Sequence, residues 1–328
     1  MPAINVGDIQ IMVQTVQQTS PSLKIMDANG DIFYLGMNEG ACPDALKITD
    51  GNKVFTAGNS TLYHEVTSFN SCETVSLEPG CYHVEVMGGA GGDGGHNSGS
   101  GASANQASYN FTITDTTSVT VFRGGDGNAG ASSVANDNIV KAGGGGGASG
   151  VPSLFAINGN VTISYGGAGG QGGSGVDGGG TSRNCGGGGG GDMNSGASSN
   201  GMNAALDSSW TDAFYLCGAG GGGAVAGKGG AAKSSGSYSG VAGTAGTVSS
   251  GGAGGKASRM LSSNNGGSGG ATVSFSCAGQ TLYSYGGGGG GAFNARGFSN
   301  TKNIVGGAGG SGSSGSSTTS YVRIYRFG

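Results

Sequence analysis

Hydrophobic and polar residues alternate with a period of two in many short stretches of the chain. Ile9, Ile11 and Val13 alternate with Gln10, Met12 and Gln14, which is the signature of a half-buried strand. Two hairpins are predicted next. Leu23–Met26 and Ile32–Leu35 flank Asp27-Ala28-Asn29-Gly30-Asp31, and Leu46–Thr49 and Lys53–Thr56 flank Asp50-Gly51-Asn52. Asn-Gly and Asp-Gly supply the positive φ angles that tight hairpin turns require. The two units form a weak internal repeat, LKIMDANGDIFYLG beside LKITDGNKVFTAG. Asp27, Asn29 and Asp31 are also spaced as the start of a calcium loop, but the twelfth position is Asn38, not an acid, so the hairpin reading is preferred.

From residue 73 onward, strand-like runs alternate with glycine blocks. The predicted strands are Thr74–Leu77, Tyr82–Met87, Ser108–Thr114, Ser118–Arg123, Asn160–Tyr165, Thr272–Ser276, Thr281–Tyr285 and Ser320–Tyr325. Between them lie Gly88–Gly95, Gly143–Gly147, Gly166–Gly173, Gly186–Gly191, Gly220–Gly223, Gly251–Gly255, Gly286–Gly291 and Gly306–Gly310. Several blocks read as x-Gly-Gly triplets in register.

Composition sharpens this division. Of 79 glycines in 328 residues, only seven precede residue 88, and four of the five prolines lie there too. Residues 1–87 hold ten acidic residues and three lysines, whereas residues 88–328 hold eleven basic and eight acidic ones. An acidic β-rich module at 1–72 is therefore expected to precede a glycine-dominated domain at 73–328. The low proline content excludes collagen, and the many Val, Ile, Tyr and Phe residues argue against a disordered linker.

A glycine block buries almost no side-chain area, while ordering each residue costs about 1–2 kcal/mol of backbone entropy. What it offers instead is a main chain with no Cβ to shield its donors and acceptors. A threefold extended helix has no internal hydrogen bonds, so its N–H and C=O groups point outward toward neighbours. Eight such blocks separated by strands predict a bundle of polyglycine-II helices.

The stretches GCYHVEVMGGAGGDGG, ASYNFTITDTTSVTVFRGGDG and TSYVRIYRFG resemble the glycine-rich domain of anaplastic-lymphoma-kinase-type receptors and of many bacterial and viral surface proteins. The match lies at Tyr82–Gly92, Ser118–Gly125 and Tyr321–Ile324 and covers residues 73–328. The resemblance implies a β-sandwich with polyglycine-II helices inserted between its strands. The expected fold is thus all-β, with an N-terminal β-hairpin module followed by that sandwich. A looser similarity is to the tail-fibre adhesins of T-even-type phages, whose tip domain displays variable loops between glycine-rich motifs.

Chemistry is sparse. His64, His83 and His96 have no partners at metal-ligand or catalytic spacing, no nucleophile elbow occurs with strand and helix flanks, and Gly227-Lys228-Gly229 and Gly255-Lys256-Ala257 both fail the phosphate-loop pattern. No enzyme activity, metal or cofactor is expected. The net charge of −4 and the lack of a basic run argue against nucleic-acid binding. No apolar run is long enough to span a bilayer, and the N-terminus lacks the features of a Sec signal peptide. That favours reduced thiols among the six cysteines, with Cys72–Cys81 and Cys185–Cys217 as the pairs that could bridge. None forms a zinc-type motif.

Large side chains concentrate in the inserts between glycine blocks, where a glycine bundle has no room to bury them. Trp210, Phe214 and Tyr215 lie in one insert, where Leu206, Trp210 and Phe214 are spaced as one face of a short helix. Tyr238, Arg259, Phe293, Arg296 and Phe298 lie in others. Aromatic and arginine side chains on loop tips are the groups that dominate binding hot spots. Packing of these inserts on the sheet faces or against a second subunit is the competing reading, preferred for Leu206, Trp210 and Phe214 and level with partner contact for Phe293, Arg296 and Phe298. The expected function is a non-enzymatic recognition protein, a phage tail-fibre tip or similar adhesin on a virion or extracellular surface. It would bind a host-surface protein or glycan and dock to a fibre or particle protein through residues 1–72. The rival is a structural subunit that self-assembles into a filament or sheath, and a homo-oligomer fits either reading. Ice binding ranks last, since no regular Thr or Ala face is visible.

Overall fold

In the computed structural model, the described residues are 60–95, 99–133, 143–172, 187–192, 200–201, 220–224, 227–230, 241–255, 265–292, 306–313 and 315–327. To these are added the backbones of the strands at 3–6, 9–12, 22–26, 32–36, 46–50, 53–57, 215–217, 239–240, 257–259, 262–264 and 293–295. Among these residues the protein is all-β, and every strand pairing is antiparallel.

The N-terminal strands β1 (Ala3–Val6), β2 (Ile9–Met12), β3 (Ser22–Met26) and β4 (Ile32–Gly36) pair in sequence order, and β5 (Leu46–Asp50) forms a hairpin with β6 (Lys53–Ala57). Both hairpins read from the turn signals are present, closing at Met26 opposite Ile32 and at Asp50 opposite Lys53.

The next strands are β7 (Ser60–Glu65), β8 (Cys72–Leu77), β9 (Gly80–Met87), β10 (Gln106–Ile113), β11 (Thr117–Phe122), β12 (Ser153–Ile157) and β13 (Asn160–Ser164). Beyond them come β14 (Tyr215–Cys217), β15 (Ser239–Gly240), β16 (Ala257–Arg259), β17 (Ser262–Asn264), β18 (Val273–Cys277), β19 (Gln280–Ser284), β20 (Phe293–Ala295) and β21 (Tyr321–Phe327). One four-stranded sheet has the order β10-β9-β21-β7 and another the order β13-β12-β11-β8. The strand Ser60–Glu65, within the 1–72 stretch, is thus hydrogen-bonded to the C-terminal strand.

The two sheets share one core. Tyr82, Val84, Val86, Phe111, Val322 and Ile324 from the first meet Leu77, Val119, Val121, Phe155 and Ile157 from the second. Tyr82 stacks on Phe111 at a centroid distance of 5.6 Å, and Phe111 meets Phe155 at 5.2 Å with its ring tilted by 37°. Burying each such side chain contributes about 1.5–3 kcal/mol. The second sheet is covered on its other side as well, where Phe122, Leu154 and Ala156 pack with Cys277 and Leu282 of the β18–β19 hairpin. All five residues of β12 are therefore buried.

A disulfide joins Cys72 of β8 to Cys277 of β18, across a sequence separation of 205. This corrects the expectation of reduced thiols, and Cys72 takes neither Cys81 nor any other nearby partner. Packing of β18–β19 on the second sheet brings two cysteines of distant sequence to a Cα separation of 5.4 Å. Cys81 lies beside Thr112, on the neighbouring strand of the other sheet.

The glycine segments are neither strand nor helix, yet their main chains are hydrogen-bonded in a regular way. Gly89, Gly92 and Gly95 donate to the carbonyls of Val151, Ala148 and Gly145, while Gly167 and Gly170 donate to those of Gly89 and Gly92. Donors recur at every third residue, on neighbours running in either direction. The segment Gly286–Gly291 is enclosed by other glycine segments. Gly287, Gly288, Gly289 and Gly290 donate to Gly310, Gly189, Gly252 and Gly307 at 2.8–2.9 Å. The carbonyls of Gly287, Gly288, Gly289 and Gly290 accept from Gly270, Gly146, Gly221 and Gly267. The packing leaves no space for side chains: a Cβ on Gly288 would lie 2.1 Å from the Gly221 carbonyl oxygen.

Serines join this layer to the sheets. The buried polar residues of the described part are Ser149, Ser153, Ser164, Ser284 and Ser320. Ser164 accepts from Gly88 N–H and donates to the Asn105 carbonyl. Ser153 accepts from Gly124 N–H and donates to the Met87 carbonyl, and Ser284 accepts from Ser313 N–H and donates to the Ser149 carbonyl. Each hydroxyl satisfies two main-chain groups where a strand gives way to, or packs against, glycine-rich backbone. No buried donor or acceptor is then stranded at these points.

Candidate functional site

The glycine segments connect the large sheets to a second set of short strands. At one end they emerge from the large sheets and the β18–β19 hairpin, as where β19 passes through Tyr285 into Gly286. At the other they pass into short ribbons. Gly286–Gly291 leads to β20, Gly220–Gly223 follows β14, and Gly251–Gly255 precedes β16. The ribbon β14–β20 and the three-stranded β15-β16-β17 adjoin one another.

This arrangement gathers three of the candidate contact positions. Tyr215 starts β14 opposite Ala295, Phe293 starts β20 opposite Cys217, and Arg259 ends β16 opposite Ser262. They come from three separate inserts, and the strands that bear them adjoin one another. Trp210, Phe214, Tyr238, Arg296 and Phe298 lie outside the described residues, as does the helix expected over Leu206–Phe214.

The solvent side of the β10-β9-β21-β7 sheet carries polar cross-strand pairs. Arg323 Nε donates to Glu65 Oε1 at 2.9 Å, and this hydrogen bond is the main reason its guanidinium is held above the ordinary arginine value. The Tyr325 hydroxyl donates to Glu85 at 3.1 Å, and burial raises its pKa. Arg123 closes one edge of the core, donating to the Val66 carbonyl and stacking over Phe69 at 4.2 Å, and burial lowers its pKa. These groups are paired within the fold and assemble no nucleophile or proton relay. Among the described residues no cluster of His, Cys, Asp and Glu is arranged to hold a metal ion, and no helix is long and apolar enough to cross a membrane.

One concave site involves none of the contact residues singled out in the sequence. A pocket of ≈ 380 Å³ lies between the β12–β13 and β18–β19 hairpins, with Tyr165, Tyr283 and Tyr285 on its walls. The available signal was a repeat: NGNVTISYGG and AGQTLYSYGG each carry a hairpin turn, a strand, a buried serine, a tyrosine and then glycine. Both turns have two consecutive residues at positive φ, Asn158-Gly159 and Ala278-Gly279. No protein-family model matches the chain, and no curated protein matches it either.

Proposed function

We propose that the protein is a non-enzymatic surface-recognition protein, in which a β-sandwich carries a polyglycine-II bundle that holds receptor-contacting inserts at its far end. The observation that carries this reading is the threefold hydrogen-bonding of the glycine segments, with the strands bearing Tyr215, Arg259 and Phe293 gathered where those segments end. A main chain tied to several neighbours presents a rigid tip, and rigidity lowers the entropy lost when a partner binds. Residues 1–72 dock to a fibre or particle protein in this reading, and the tip meets a host-surface protein or glycan, as at the end of a phage tail fibre. The Cys72–Cys277 disulfide fits a protein that works outside a reducing cytoplasm.

A second reading, a self-assembling filament or sheath subunit, draws on β7. This edge strand exposes Ser60–Tyr63, with Leu62 51% accessible, and an open sheet edge invites pairing with another chain. Light scattering and negative-stain microscopy on the purified protein, alone and with bacterial envelopes, separate the two. The recognition reading predicts discrete particles that bind an envelope, with binding lost when Phe293, Arg296 and Phe298 are replaced together by alanine. Long ordered polymers with no envelope binding would overturn it in favour of the filament.

A further inference from the structure

We propose that the pocket between the β12–β13 and β18–β19 hairpins binds a neutral saccharide, free or at the terminus of a larger glycan. The site lies at the sheet end of the glycine layer and uses none of the insert residues, so it stands independently of the recognition tip. One wall is Ile163 and Tyr165 at the end of β13. The other is Gln280, Thr281, Tyr283 and Tyr285 along β19. Tyr165 is 56% exposed, and Tyr283 and Tyr285 stack with centroids 5.5 Å apart and planes inclined by 26°.

The chemistry of the lining selects the ligand class. Every lining residue is uncharged, so an anion or cation entering the pocket would lose its hydration without a counter-charge to replace it. A wholly apolar ligand is equally ill-suited, because the Gln280 amide and Thr281 hydroxyl make no side-chain hydrogen bond among the described residues and would be covered without partners. A pyranose presents a flat C–H face to aromatic rings and a rim of hydroxyls to amide and hydroxyl groups. Tyrosine suits both demands, with an apolar body and a polar tip. The volume of ≈ 380 Å³ falls in the range of small-ligand pockets, roughly 300–1,000 Å³, and accommodates a mono- or disaccharide.

The walls are also held in place before any ligand arrives. The β18–β19 hairpin is fixed by the Cys72–Cys277 disulfide, by Leu282 in the core beneath it and by Ser284 bonded to the Ser149 carbonyl. Tyr285 N–H donates to Ser149 Oγ at 2.8 Å, which fixes the backbone of one lining tyrosine. A preformed site loses less on binding than one that must be ordered.

The test is saturation-transfer NMR on the full chain with maltose, cellobiose, lactose, N,N′-diacetylchitobiose and methyl mannoside, and with glucuronate and glucosamine as charged comparators. At least one neutral probe is expected to bind more tightly than either charged one. Tyr165→Ala and Tyr283→Ala should each weaken it by about tenfold or more, while Tyr165→Phe retains it. An unchanged melting temperature for Tyr165→Ala, whose ring is largely exposed, separates loss of binding from loss of fold. Beads bearing the bound sugar as a terminal unit should capture the protein, and the free sugar should compete. The proposal is overturned if no neutral probe receives saturation, if the charged probes bind better, or if Tyr165→Ala binds as the wild type does.

Discussion

Single residues carry unusual weight in this molecule because its glycine layer has main-chain bonds where other proteins have side-chain packing. Gly288 is the clearest case. With the Gly221 carbonyl oxygen 2.1 Å from where its Cβ would sit, Gly288→Ala forces two main chains apart and is expected to cost about 1–3 kcal/mol or more in a denaturation experiment. Val248→Ala, at a side chain 67% exposed, should change stability by less than about 0.5 kcal/mol and serves as the control. Equal effects of the two would show that the glycine segments are not closely packed. The buried serines make a related prediction. Ser284→Ala leaves the Ser149 carbonyl and the Ser313 N–H without their partner and should destabilise by about 1–3 kcal/mol. The sequence marks the glycine blocks as a class but singles out neither position, since Gly288 is one glycine in a run of six and Ser284 is one serine among many.

At the level of elements, what the sequence disclosed depended on whether a strand has one wet face. Phe111 and Ile113 alternate with polar neighbours because only one side of β10 meets the core, and the strand was readable to within two residues. Strand β12 was missed because both of its faces are buried, so Ser-Leu-Phe-Ala-Ile shows no alternation. Strand β7 was missed for the opposite reason: its first four residues are exposed, and only pairing with β21 makes it a strand. The tyrosine pocket was hidden because its two hairpins are far apart in sequence and meet only after folding. The Cys72–Cys277 bridge was hidden in the same way. It fixes the β18–β19 hairpin to β8, and closing so long a loop restricts the unfolded chain strongly. Replacing both cysteines by serine should cost about 2–5 kcal/mol, and reductant should lower the melting temperature of the wild type to a similar extent. A melting temperature indifferent to reductant would contradict a structural role for the bridge.

At the scale of the whole molecule, four tyrosines among the described residues share one response to pH. Tyr82, Tyr285, Tyr321 and Tyr325 all have pKa values above the ordinary 10.0, chiefly because burial disfavours the phenolate. The folded state therefore holds these protons more tightly than the unfolded chain, and their contribution is intact below 10.0 and lost as pH rises through the folded values. These tyrosines predict a denaturant midpoint that stays level from neutrality to just below that point and falls beyond it, and a fall beginning near neutrality would contradict their role. Above all, the molecule stands or falls on whether the glycine segments are folded. Amide hydrogen exchange on the full-length protein tests this most directly. Gly287–Gly290, whose amides are all bonded to other glycine segments, should exchange as slowly as Val84 and Ile324 in the shared core. Exchange of those glycine amides at the rate of an unstructured chain, with the core still protected, would contradict the account and leave a small β protein joined by flexible linkers.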